Sequence, residues 1–180
     1  MNRPDYTVVQ KVVHWLMALL IMLDLVVAQK FGDPMEQWDR LESRSDHATL
    51  GMIMTFLFLL RIALRWYYGA PPLPHGMSTW QVFAARWTHR LFYFLIALLI
   101  GSGLATGVNA ADPITLFGSL DITIGQENEQ TFAALRPIHE YTTNALILLI
   151  SIHIIAALYH QFVARDASTL NMLKFWTSKS

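Results

Sequence analysis

The chain has 180 residues, enough for one domain. Hydrophobic residues make up 54% of it and charged residues 14%, whereas a soluble domain carries about 25% charged residues. The formal net charge is zero, which gives no pointer to nucleic acid. There is no cysteine, which excludes disulfides, thiolate metal sites and covalent attachment of a prosthetic group through C-x-x-C-H.

Four apolar segments follow in chain order, at residues 8–28, 47–68, 83–108 and 138–163. Each is long enough for a hydrocarbon core of about 30 Å. The first has a basic flank in Arg3 and Lys11. Gln29, Lys30 and Phe31 stand where a signal-peptide cleavage site would need small residues, so it is expected to be a retained membrane helix. Residues 30–46 are polar and read as a loop. Residues 69–76 (GAPPLPHG) break the chain between the second and third segments. The 28-residue link 109–136 carries Asp112, Asp121, Glu127 and Glu129, and its apolar middle, 114–120, is expected to form a short interfacial helix. Residues 171–176 (NMLKFW) read as an interfacial anchor. A soluble four-helix bundle would need a polar stripe on every helix, but 52–60 (MIMTFLFLL) and 91–100 (LFYFLIALLI) are apolar all round. The expected fold is therefore all-α, an integral membrane four-helix bundle forming a single domain over residues 1–180.

Basic residues set the expected orientation. With the N-terminus in the cytoplasm, Arg3, Lys11, Arg61, Arg65, Arg86, Arg90, Arg165, Lys174 and Lys179 lie inside. Only Lys30, Arg40, Arg44 and Arg136 lie outside. Both termini are thus expected to be cytoplasmic, with acidic outer loops.

Histidine in a membrane segment is costly without a partner and is a functional-site candidate by default. His139 and His153 are 14 residues apart on the fourth segment. At about 100° and 1.5 Å per residue they share a face and stand about 21 Å apart. That spacing suits two haems, one near each membrane surface. By depth, His47 is level with His139 and His14 with His153, so the expected iron ligands are His47 with His139 and His14 with His153. His89 competes with His14 at the inner haem. Two histidine ligands leave iron no open position, which implies electron transfer. Zinc or copper would gather three or four ligands at one depth, and simple interhelical hydrogen bonding is the remaining alternative. Arg61 is expected to meet a haem propionate or to snorkel to the surface. Gly51, Gly101, Gly103 and Gly107 would admit a flat porphyrin or close helix packing. His75 reads as solvated.

These residues carry a resemblance. His14-Trp15, H-A-T-L-G-M at 47–52, Arg61 and Arg65, P-P-L-P at 71–74, His89, I-H-E at 138–140 and I-H-I at 152–154 together resemble the bacterial cytochrome b561 family. They are also similar to membrane cytochrome b subunits of formate dehydrogenases and nickel–iron hydrogenases. The resemblance implies two haem b groups in a bacterial inner-membrane electron carrier. It implies an oxidoreductase taking electrons from superoxide or another periplasmic donor to ubiquinone, with His160 at the quinone site. The acidic outer loops would repel superoxide, and a basic protein donor is the substitute. Two other functions remain open: a membrane anchor subunit of a larger dehydrogenase or hydrogenase, and a haem-free scaffold.

Overall fold

In the computed structural model, residues 5–29, 36–73, 76–123, 129–166 and 171–175 are described. Lys30, His75, Pro74, Glu127, Trp176 and Lys179 lie outside the described residues. Four long helices are found among the described residues: α1 (Val8–Gln29), α2 (Gln37–Tyr68), α3 (Thr79–Val108) and α4 (Glu129–Tyr159). All four are long and apolar enough to cross a membrane. Their lipid-facing sides stay apolar and exposed, as a bilayer solvent requires. Trp66, Tyr67, Trp80 and Phe162 project outward at the face that carries the N-terminus, here called the near face. Such aromatic side chains sit at the membrane–water boundary.

Helix bounds differ from the sequence expectation at three places. The polar stretch expected as a loop up to Asp46 is helical from Gln37, so α2 projects about three turns past the apolar span. Helix α3 starts at Thr79 because Ser78 and Gln81 form a capping box at its first turn. Helix α4 starts at Glu129, not at residue 138, and carries Pro137 internally. Proline is tolerated in membrane helices where neighbours take up the freed backbone groups.

The expected interfacial helix at 114–120 is instead a β-hairpin. Strand β1 (Thr115–Leu116) pairs antiparallel with β2 (Leu120–Asp121). Phe117 and Gly118 both have positive φ, 52° and 70°, the backbone that tight hairpin turns demand. The Thr123 hydroxyl and amide both donate to Asp121 and hold its carboxyl below the usual carboxylate range. The hairpin docks on the projecting part of α2: the Thr115 amide donates to Ser45 Oγ at 3.1 Å and the Phe117 amide to Thr49 Oγ1 at 3.1 Å. Ile114 and Leu116 are buried beneath it. The hairpin therefore caps the far end of the bundle.

The bundle consists of two helical hairpins. Helix α1 packs along α2 and α3 along α4, while α2 approaches α3 more sparsely. Among the described residues, α4 makes no comparable approach to α1 or α2. Val13, Met17, Leu57 and Phe58 form one core, and Leu95, Leu146 and Leu149 the other, with Ile96 touching both.

The near face is closed by the C-terminal segment. Lys11, only 2% exposed, donates to Asp5 at 2.7 Å and to the Lys174 carbonyl, and Trp15 Nε1 donates to the Met172 carbonyl at 3.1 Å. Residues 171–175 are thereby held against the start of α1.

Candidate metal centres between histidine pairs

The histidines gather in two tiers. At the far tier His47 of α2 faces His139 of α4, with ring centroids 6.0 Å apart and planes at 82°. At the near tier His89 of α3 faces His153 of α4, also at 6.0 Å and 82°, and Phe92 packs edge-on to His153. His14 of α1 belongs to the near tier, within electrostatic reach of His153, His89 and Arg61. The structure thus brings together His47 and His139 as depth matching expects. It places His89 against His153 and brings His14 to the same tier, within electrostatic reach of His153.

Hydrogen bonds fix the ring nitrogens. His47 Nδ1 donates to Asp24 Oδ1 at 2.8 Å, and His89 Nδ1 to the Ala85 carbonyl at 2.7 Å. Ser102 Oγ donates to the Leu98 carbonyl at 2.7 Å, so its lone pair is left to accept from His139 Nδ1 at 3.1 Å. With Nδ1 carrying the proton, Nε2 is the ring atom whose lone pair could ligate a metal. Such an acceptor behind the ring is the ordinary support of a metal-bound histidine.

The residues present fit a bis-histidine haem. An imidazole–metal bond of about 2 Å places the centroids of two rings on one metal roughly 6 Å apart, the separation seen at the far tier. Those two rings reach across the seam between hairpins, where α2 and α4 do not pack directly. A Cβ on Gly51, one turn beyond His47, or on Gly101 would meet nothing within 4 Å, leaving room for a flat ring. Gly103 serves another purpose: a Cβ there would come within 2.9 Å of His139 Cε1. Its missing side chain admits the imidazole itself. Gly107 faces the hairpin residues Ile114 and Ile122. Among the described residues no cluster of three or more histidine, aspartate or glutamate side chains is gathered for a zinc-like site.

Arg61 and Arg65 line a recess with Tyr6, Gln10 and Tyr93 at the near tier. Arg61 thus faces the protein rather than only lipid. His160 opens a π-helical turn (His160–Ala164) that ends with Arg165 in the left-handed region, φ 52°. Its Nδ1 is hydrogen-bonded to Asp166, which this turn folds back beneath the ring. π-turns recur at functional sites in helices. At the far face, Arg44 pairs with Asp112 at 3.2 Å and Arg136 with Glu140 at 2.7 Å. Of the basic residues expected on the outer side, Arg44 and Arg136 are thus matched by acids.

Sequence reading missed Asp24 and Ser102. Asp24 had a signal: it is the sole charged residue between Lys11 and Lys30. Ser102 had none beyond its place one residue before Gly103.

Residues 5–175 match the family described as prokaryotic cytochrome b561. The chain is 25% identical to cytochrome b561 homolog 1 of Escherichia coli (strain K12), over 96% of this chain and 98% of that one. It is 28% identical to cytochrome b562 of Cereibacter sphaeroides, over 96% and 98% of the two chains. It is 26% identical to the probable superoxide oxidase CybB of Yersinia pestis, over 93% and 95%.

Proposed function

The chain belongs to the prokaryotic cytochrome b561 family, and from that premise we propose that it is a di-haem carrier passing electrons between a periplasmic donor and membrane quinone. Membership makes it a multi-pass bacterial membrane protein of electron transport that binds haem. The finer reading places it in the inner membrane with both termini cytoplasmic, so that the far face is periplasmic. The observation that carries it is the two-tier arrangement: His139 and His153 on one helix, each met by histidine from another element.

When bound, the two haem b groups supply one-electron redox chemistry between the two membrane surfaces. The rest belongs to the chain. His47 and His139 would hold the outer haem, with Asp24 and Ser102 fixing their tautomers. His14 and His153 would hold the inner haem across the same seam, where α1 and α4 do not pack closely among the described residues. His89 is the competing ligand, favoured by its 6.0 Å ring separation from His153. Against it, α3 and α4 pack side by side, and helix axes about 8–10 Å apart leave no room for a porphyrin between them. Arg61, which lines the near-tier recess, would meet an inner propionate. His160 would hydrogen-bond a quinone oxygen through its other ring nitrogen while Asp166 orients the ring.

Quinone needs protons as well as electrons, and the His160–Asp166 pair offers a route from the near face. At the far face, the pairing of Arg44 and Arg136 with acids and the acidic composition of the outer loops favour a basic protein donor over an anion such as superoxide.

Stopped-flow mixing of the purified, reduced chain with ubiquinone tests this. Rapid haem reoxidation without any partner protein is expected. A fully loaded protein that does not react with quinone would assign the chain to an anchoring role instead. Protein that binds no haem when haem is supplied would leave only a scaffold.

A further inference from the structure

Asp24 is a carboxyl group inside a membrane helix, and its residue is only 7% exposed. A carboxylate there is costly unless it has a task. It stands 2.8 Å from His47 Nδ1. The opposite ring, His139, has the hydroxyl of Ser102 behind it, a neutral acceptor. At the near tier the nearby formal charge has the other sign: Arg61 lies within electrostatic reach of His14, His89 and His153.

These charges act on iron in opposite directions. Negative charge delivered to a ligand imidazole raises its basicity and favours the ferric state. Positive charge favours the ferrous state. In a site shielded from water neither effect is fully screened.

We propose that Asp24, by accepting a hydrogen bond from His47 Nδ1, makes the outer haem the lower-potential member of the pair and so directs electrons from the far tier to the near tier. Asp24 is a positioning residue in this scheme: it touches the ligand and acts through it. The proposal rests on His47 and His139 ligating the outer haem and adds a direction to that reading.

Spectroelectrochemical titration of the haem-loaded protein tests it. His153→Ala leaves the outer haem alone and His139→Ala leaves the inner haem alone. The outer-only protein is expected to titrate at the lower potential. Asp24→Asn keeps an oxygen able to accept from Nδ1 but removes the charge. It is expected to retain both haems and to shift the ferric-to-ferrous ratio of the outer haem at least tenfold toward ferrous, about 59 mV for one electron. Asp24→Glu is expected to restore the wild-type value.

An outer-only protein titrating above the inner-only one overturns the proposal, whether or not Asp24→Asn folds. So does an unchanged potential in a fully loaded Asp24→Asn protein. If His139→Ala keeps both haems, the ligand assignment fails instead, which is a separable outcome.

Discussion

Gly103 and His139 stand in a register that leaves no space for a methyl group: a Cβ on Gly103 would lie 2.9 Å from His139 Cε1 and 3.2 Å from its Nδ1. Fourteen residues away on each helix, His89 meets His153. The antiparallel pairing of α3 and α4 therefore places both tiers at once. Gly103→Val should push the imidazole off the seam, at an overpacking cost of about 1–3 kcal/mol. Purified Gly103→Val is expected to hold about half the wild-type haem, whereas Gly101→Ala, with open space at its Cβ, should hold all of it.

The inner ligand set separates by substitution. His14→Ala and His153→Ala should each remove one haem, seen as a halved b-type absorption per chain. His89→Ala should keep both haems and move only the inner spectrum or potential. The reverse result, loss with His89→Ala and retention with His14→Ala, would place the inner haem between α3 and α4.

The quinone site gives a kinetic expectation. His160→Phe should keep both haems and slow reoxidation by ubiquinone by about 100-fold, the usual scale for a lost proton-transfer group. Asp166→Asn should slow it less, because the ring remains and only its orienting charge is lost. Equal rates for wild type and His160→Phe would remove His160 from the reaction.

The near-face clasp can be probed by proteolysis. Lys11→Met leaves the Lys174 carbonyl and the Asp5 carboxylate without their donor, a loss of about 1–3 kcal/mol locally. Faster trypsin cleavage at Lys174 is expected, with haem content unchanged. Unchanged cleavage would mean that Trp15 and its bond to the Met172 carbonyl hold the segment alone.

The spans were legible in the sequence because hydropathy alone decides them, and the matching tier of His47 and His139 followed from helix rise. The ends were less legible for particular reasons. Residues 37–46 are polar, and polarity was read as loop, although a helix projecting into water needs no apolar stripe until something docks on it. Here the hairpin does. That hairpin was read as helix because 114–120 is apolar without clear alternation. Its turn is made by the left-handed backbone of Phe117 beside Gly118, and phenylalanine does not announce such a turn. The fourth segment was bounded at residue 138 by its apolar run, whereas α4 begins at Glu129 and carries Pro137 inside it. His89 and His14 could not be separated by depth, since depth says nothing about which helices pack side by side. Asp24 was passed over because attention to metal ligands leaves out the acceptors behind them.

The most direct test of the two-tier arrangement is the haem-to-protein ratio of the purified chain, measured by pyridine haemochrome against quantitative amino-acid analysis, for wild type and His47→Ala. Two haem b per wild-type chain and one per His47→Ala chain is the expected result. One haem or none in the wild type, or two retained by His47→Ala, would contradict it.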